Sequence, residues 1–274
     1  MTALRLRLRA SPGGIRIDLR RVAPASLCAL DERAAGAFEV TQGNRRVALG
    51  ELFDIIVERR DAAVPTLVLE GDLRCVDRVG WRMTGGVLAV QGDVGDQAGC
   101  AMAGGELSIS GSAGDYAGAE MSGGCLRVGA DCGAFAAASL PGSMDGMRGG
   151  LLVVRGNAGE RLGDRMRRGT VLVFGNAGAF AASRMVAGTL AIAGSCAGHL
   201  AYGMRRGTVL CLGSHPPAAS TFAATGHDIR VYWSLLRRHL AAGGGVFAQL
   251  PPTPPNRFVG DLAADGKGEL LWFD

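Results

Sequence analysis

The amino-acid sequence predicts an all-β fold, a β-solenoid with coils of about 19 residues, and three observations predict it. Met83, Met102 and Met121 are 19 residues apart, and so are Met147, Met166, Met185 and Met204; the gap of 26 between Met121 and Met147 is one coil plus seven inserted residues. Three positions after each of these methionines stands a glycine: Gly86, Gly105, Gly124, Gly150, Gly169, Gly188 and Gly207. At +5 and +7 the residues are apolar in every unit, from Leu88 and Val90 to Val209 and Cys211, the period of a half-buried strand. Glycine follows at +9 in all units but one, where Ala130 stands, and Asp, Ser or Asn, which favour turns, occupy +10 from Asp93 to Ser195. Strand, glycine corner and short return segment, repeated at a fixed period, describe a solenoid coil. With coils stacked about 4.8 Å apart, seven of them form a rod roughly 34 Å long, with methionine as an adaptable interior column.

The flanks depart from this pattern and divide the chain into three segments. Residues 1–62 hold alternating stretches (Leu4 to Leu8, Ile15 to Leu19, Val47 to Val57) that read as strands of an N-terminal β unit. Residues 63–222 hold the repeats, with an imperfect first coil through Leu67-Val68-Leu69-Glu70-Gly71-Asp72. Residues 223–274 form a C-terminal tail, with a short helix from Asp228 to Ala242 ended by Gly243, then an extended Pro251-Pro252-Thr253-Pro254-Pro255 linker. Because a solenoid leaves its apolar ends open, capping is the expected role of both flanks.

Composition excludes several classes. Glycine accounts for 44 of 274 residues, yet apolar residues make up 48% and mean hydropathy is +0.19, so disorder is excluded. The ten prolines exclude collagen. No apolar run approaches the roughly 18 residues of a membrane span, and the start Met1-Thr2-Ala3-Leu4-Arg5-Leu6-Arg7 is not a signal peptide. Seven cysteines without paired spacing point to reduced thiols in a cytoplasmic protein. A net charge of +4 is no nucleic-acid signature.

Catalytic motifs are absent from the sequence. There is no Gly-x-Ser-x-Gly elbow and no phosphate loop. His199, His215, His227 and His239 lack ligand spacing, and no Cys-x2-Cys occurs. Cys132 and Cys196 share a column with Val94, Ala113, Ala158 and Ala177, which reads as small buried side chains. The sequence therefore assigns no catalytic and no metal-binding residue. One pattern exceeds turn chemistry: Arg148, Arg167 and Arg205 stand at +1 and Arg168 and Arg206 at +2, with Arg165 and Arg184 just before their methionines. Stacking makes these an arginine-lined corner on the C-terminal half of the rod. It is either a solvated face or a site for carboxylates on a partner protein or an anionic ligand tail.

Met-x-Gly-Gly-x-Leu-x-Val-x-Gly-x-x-Gly, as in Met83 to Gly95, together with Leu49-Gly50-Glu51-Leu52-Phe53, Gly260-Asp261-Leu262 and Gly266-Lys267-Gly268-Glu269, resembles the C-subunit family of formylmethanofuran dehydrogenases. That family includes the C-type component of the bacterial formyltransferase/hydrolase complex. The repeat also resembles the C-terminal domain of glutamate synthase, and the flanking segments favour the first family. The resemblance implies a right-handed parallel β-helix acting as a non-catalytic scaffold in one-carbon metabolism. Its partners would be the sister A, B and D subunits, which are amidohydrolase-like, dehydrogenase-like and formyltransferase chains. The complex so implied moves a formyl group from tetrahydromethanopterin to a methanofuran analogue and releases formate, with metals held by the sister chains. A CO2-reducing formylmethanofuran dehydrogenase and a glutamate-synthase-like structural β-helix are the alternatives. Methanofuran-type cofactors carry glutamate-rich tails, which an arginine corner would suit.

Overall fold

The computed structural model describes residues 2–10, 13–59 and 64–273; the expected boundary between residues 62 and 63 lies outside the described residues. Leucines at every second position make one apolar edge of β1 (Thr2–Leu8), and Leu4, Leu6 and Leu8 are buried. β2 (Ile17–Asp18), the helical turns α1 (Pro24–Leu27) and α2 (Glu32–Gly36), and the hairpin β3 (Glu39–Gln42) and β4 (Arg45–Ala48) follow. The continuous strand expected from Val47 to Val57 is broken. A helical turn, α3 (Leu49–Leu52), separates β4 from β5 (Phe53–Arg59). The Glu51 carboxylate accepts a hydrogen bond from the Ala48 N–H at 3.1 Å, closing the turn, and Leu49 is buried beneath it.

β1 pairs antiparallel with β5 and parallel with β6 (Thr66–Glu70), so the N-terminal hairpin continues the sheet of the coils. β7 (Val76–Asp77) joins β2, β3 and β4 in a separate four-stranded sheet. From β6 the coil strands run parallel through β8 (Val87–Gln91), β9 (Glu106–Ile109), β10 (Ser122–Val128), β11 (Arg148–Val154), β12 (Arg168–Val173), β13 (Thr189–Ile192) and β14 (Thr208–Cys211). Their register carries the sequence period directly: Leu88, Leu107, Leu126, Leu152, Val171, Leu190 and Val209 are successive partners. On the next face, single parallel bridges join Leu73, Val94, Ala113, Cys132, Ala158, Ala177 and Cys196.

Behind the strands, all seven repeat methionines are buried. The terminal methyl reaches under the +3 glycine of the following coil. A Cβ on Gly169 would lie 2.9 Å from Met147 Cε and 3.0 Å from Gly150 O, on a backbone with φ +97°. The Met-x-x-Gly pair is thus one packing unit split across two coils, and only glycine satisfies both the conformation and the space. At +9 the need is close approach: a Cβ on Gly156 would meet the Asp131 carboxylate. The +10 residues form a ladder in which a side-chain oxygen accepts from the N–H one coil on, as Asp93 does from Ser112 at 2.8 Å, Asn157 from Asn176 at 2.8 Å and Asn176 from Ser195 at 2.8 Å.

Past Gly213 the chain adds β15 (Ala223–Ala224), α4 (Arg230–Ala241), β16 (Asn256–Gly260) and β17 (Gly268–Trp272). Part of the tail extends the sheet. β17 pairs parallel with β14, placing Leu270 beside Val209 and Trp272 beside Cys211 without a methionine of its own. β16 then pairs antiparallel with β17, turning the end of the sheet back on itself. Helix α4 buries Trp233, Leu236 and Leu240 against a second apolar cluster on the outer side of the late coils, formed by Val153, Leu172, Ala191, Leu210 and Leu271. The proline segment closes over this helix, with Trp233 Nε1 donating to Pro251 O at 3.0 Å.

Candidate functional site

Each coil corner is built around a methionine that points inward, so the residues on either side of it point out. The Arg148 and Arg167 N–H groups donate to the preceding coil's Met121 and Met147 carbonyls at 2.7 and 2.8 Å, and the Arg205 N–H donates to Met185 O at 2.8 Å. Arg148, Arg167, Arg168, Arg205 and Arg206 are all exposed. The corner falls into two clusters, because the coil between holds Val186 and Ala187 at +1 and +2. One cluster holds Arg148, Arg167 and Arg168, with Arg148 and Arg168 as direct strand partners. The other holds Arg205 and Arg206, which line a cleft with Ala264, Asp265 and Lys267. Lys267 is an addition to the expected site residues; its signal is its place in the tail segment that leads into β17.

The remaining corner arginines serve the fold. Arg184 donates twice to the buried Asp164, at 3.0 and 2.6 Å, and Ser183 Oγ donates to the same carboxylate at 2.6 Å. Arg165 donates to Ser143 O at 2.9 Å, holding the seven-residue insertion against the rod. Arg167 pairs with Asp145 at 2.5 Å. Among the described residues, Arg148, Arg168, Arg205 and Arg206 have no carboxylate within ion-pair distance.

The electrostatics sharpen this contrast. Residues 66–139 contain four arginines and nine carboxylates, whereas residues 140–213 contain nine arginines and three carboxylates. In the early coils the charges are largely matched: Arg74 with Asp72, Arg78 with Asp18, Arg127 with Glu106, and Arg16 with both Asp77 and Asp96. In the late coils, among the described residues, only Arg167 and Arg184 are matched. The result is a rod with a negative early half and a positive late half, a field suited to orienting charged partners.

The histidines are apart: His215 stacks on Trp272 with centroids 4.0 Å apart, and His239 Nε2 lies 2.8 Å from Thr170 Oγ1. Among the described residues no group of three His, Cys, Asp or Glu side chains could hold a metal ion. Burial pushes the Cys100 and Cys132 thiols up to about 12, so neither supplies a thiolate near neutral pH. Cys211 is raised by its contact with Cys196 and by burial. Among the described residues no helix is long and apolar enough to cross a membrane.

Comparison with protein-family models finds no match. Among curated proteins, the chain is 42% identical over 82 residues to the C component of the formyltransferase/hydrolase complex Fhc from Methylorubrum extorquens. That local alignment spans 30% of this chain and 29% of the relative. Over the whole length, the chain superimposes on a chain of the crystal structure of the formyltransferase/hydrolase complex (FhcABCD) from Methylorubrum extorquens in complex with methylofuran. The TM-score is 0.87 and the identity 40%, covering 98% of this chain and 99% of that one. The chain belongs to the Fhc C-subunit family. The resemblance read from the flanking segments is therefore upheld, since the match extends beyond the repeats to both flanks. As a member of the Fhc C-subunit family, the chain devotes its periodic positions to building the rod: inward methionines, leucines and glycines on one side, outward arginines on the other.

Proposed function

We propose that this chain is a non-catalytic scaffold in a formyltransferase/hydrolase complex of one-carbon metabolism. The complex would transfer a formyl group from tetrahydromethanopterin to a methanofuran analogue and hydrolyse the product to formate. The single observation carrying this reading is the match along 98% of the chain to a chain of such a complex. The rod positions the sister A, B and D subunits in the cytoplasm. These are amidohydrolase-like, dehydrogenase-like and formyltransferase chains, and they contribute the reacting groups. In this reading residues 63–222 form the rod proper, and residues 1–62 and 223–274 cap its ends. Its coils wind right-handed, the hand that parallel crossover connections adopt.

The two arginine clusters bind carboxylates on a sister chain or on the glutamate-rich tail of the cofactor. Exposed guanidiniums suit that role, four of the five having no carboxylate partner among the described residues, because each presents a planar fork of donors matched to a carboxylate. Co-expression of the tagged chain with the three sister subunits tests the scaffold role: it is expected to co-purify with all three, and recovery of the chain alone would refute it. Replacing Arg167 and Arg205 with Ala tests the clusters. Unchanged assembly and unchanged cofactor affinity would exclude them.

A further inference from the structure

The return segment of each coil carries a second column that the arginine corner does not use. At +14 stand Gln97, Tyr116, Phe135, Arg161, Phe180 and His199, all with φ between +57° and +63°. This left-handed conformation is uncommon for residues with a Cβ, and more so for bulky ones. The backbone enforces it: the N–H groups of Tyr116, Phe135, Arg161 and Phe180 donate to carbonyls one coil on, at 2.8 to 3.0 Å. Two positions later, where the conformation is again left-handed, the chain places Gly99, Gly118 and Gly163, or alanine. The +14 position therefore retains large flat side chains where glycine meets the backbone requirement with less strain.

Those side chains stack into a continuous ladder. The Tyr116 and Phe135 rings are parallel within 11° at 4.9 Å, and Phe180 and His199 within 11° at 4.5 Å. The Arg161 guanidinium fills the rung between, 5.9 Å from the Phe135 centroid and 4.9 Å from that of Phe180. Because the ring faces are turned toward one another, the ladder presents ring edges outward, and edges are the positive part of an aromatic quadrupole. Among the described residues Arg161 has no carboxylate partner, so its edge donors also point out unused. Beside the ladder, the seven-residue insertion forms a cleft of about 230 Å³ with Tyr116, Phe135, Arg165 and Arg184 in its lining. Asp164, held by Ser183 and Arg184, also lines the cleft, and the pre-ordered strip runs into the half of the rod with nine arginines and three carboxylates.

We infer that the Tyr116–Phe135–Arg161–Phe180–His199 ladder is a docking surface for a carboxylate-bearing segment of a sister chain. This inference rests on the scaffold reading and adds the place and the chemistry of one contact. A carboxylate facing Arg161 gains a bidentate pair on a guanidinium already held flat by two rings, so little side-chain freedom is lost on binding.

The test measures affinity between the tagged full-length chain and the co-expressed remainder of the complex, for wild type and for Arg161→Gln, Arg161→Lys and Phe180→Gly, alongside thermal melts. Arg161→Gln is expected to bind roughly thirtyfold or more weakly, as for truncation of one member of a desolvated charge pair. Arg161→Lys, which keeps charge but loses the planar fork, falls between. Phe180→Gly is expected to weaken binding about tenfold while leaving the melting temperature within a degree or two, because glycine relieves the left-handed backbone. Wild-type binding with equal binding by all three variants overturns the docking surface and leaves the scaffold reading intact. Affinity losses that merely track lowered melting temperatures overturn it in favour of a purely structural ladder. Failure of the wild-type chain itself to bind overturns the scaffold reading, and the docking surface with it.

Discussion

The early and late coils share one interior and differ in what they show to their surroundings. Inside, the same Met-x-x-Gly unit and the same leucine column run unbroken from Met83 to Val209. Outside, the strand residues at +6 are Ala89, Ser108 and Arg127 in the early coils but Val153, Leu172, Ala191 and Leu210 in the late ones. The late column is apolar because helix α4 covers it. The charges diverge in parallel, with most early arginines matched by carboxylates and most late ones unmatched among the described residues. A repeat fixes the packing that every coil must share and leaves outward positions free to specialise. The specialisation here is concentrated in the half carrying the arginine clusters and most of the ladder.

Damage to the shared interior is expected to be the largest effect and the same in both halves. Gly124→Val and Gly169→Val each force a Cβ to 2.8 and 2.9 Å from Met102 Cε and Met147 Cε respectively. Each is expected to cost about 3 to 5 kcal/mol in denaturant unfolding, combining overpacking with left-handed strain. A small cost in one half alone would show that the interiors are not equivalent.

Removing the helix contact should separate the halves. Trp233→Ala empties the centre of the outer cluster and is expected to cost about 3 to 4 kcal/mol. Hydrogen exchange should then accelerate in β11 to β14 while β8 and β9 stay protected. Uniform acceleration would mean that α4 stabilises the rod as a whole.

Acid should probe the opposite end. Burial raises the Asp18 carboxyl, but hydrogen bonds from the Arg20 side chain and backbone and the charge of Arg78 outweigh it and hold the group below its ordinary value. A depressed carboxyl contributes stability that is present above its unfolded value, about 3.9, and is lost as pH falls through the folded one. As pH falls below about 4 the wild-type chain should therefore lose more stability than Asp18→Asn, with the loss confined to the N-terminal sheet. Parallel pH profiles for the two proteins would contradict this. The smallest effect is expected at the exposed Arg167–Asp145 pair: Arg167→Ala should change stability by less than about 1 kcal/mol, so any loss of assembly reflects binding.

The coils are legible in the sequence because a strict period constrains every unit at once, so Met, Gly and Leu columns can be read without knowing any contact. The interruption at Leu49–Leu52 is not legible, since a four-residue helical turn leaves strand-like alternation on both sides and depends on Glu51 reaching back to Ala48. β17 escapes notice because it contributes a coil strand without the methionine that marks the others. The split of the arginine corner is visible in Val186 and Ala187, and so is the apolar +6 column that calls for a cover. The ladder is the hardest to see. Its residues lie at one phase, but Gln, Tyr, Phe, Arg, Phe and His share no hydropathy, and only the left-handed backbone turns them into a stack.

In the proposed reading this chain is a structural member of a heteromeric assembly and contributes no reacting group of its own. Native mass spectrometry of the tagged chain co-expressed with the three sister subunits tests it most directly, run beside formyl-transfer and hydrolysis assays of the isolated chain. One assembly containing all four chains and no turnover by this chain alone is the expected result. A chain that stays apart from the other three, or that turns over substrate by itself, would contradict it.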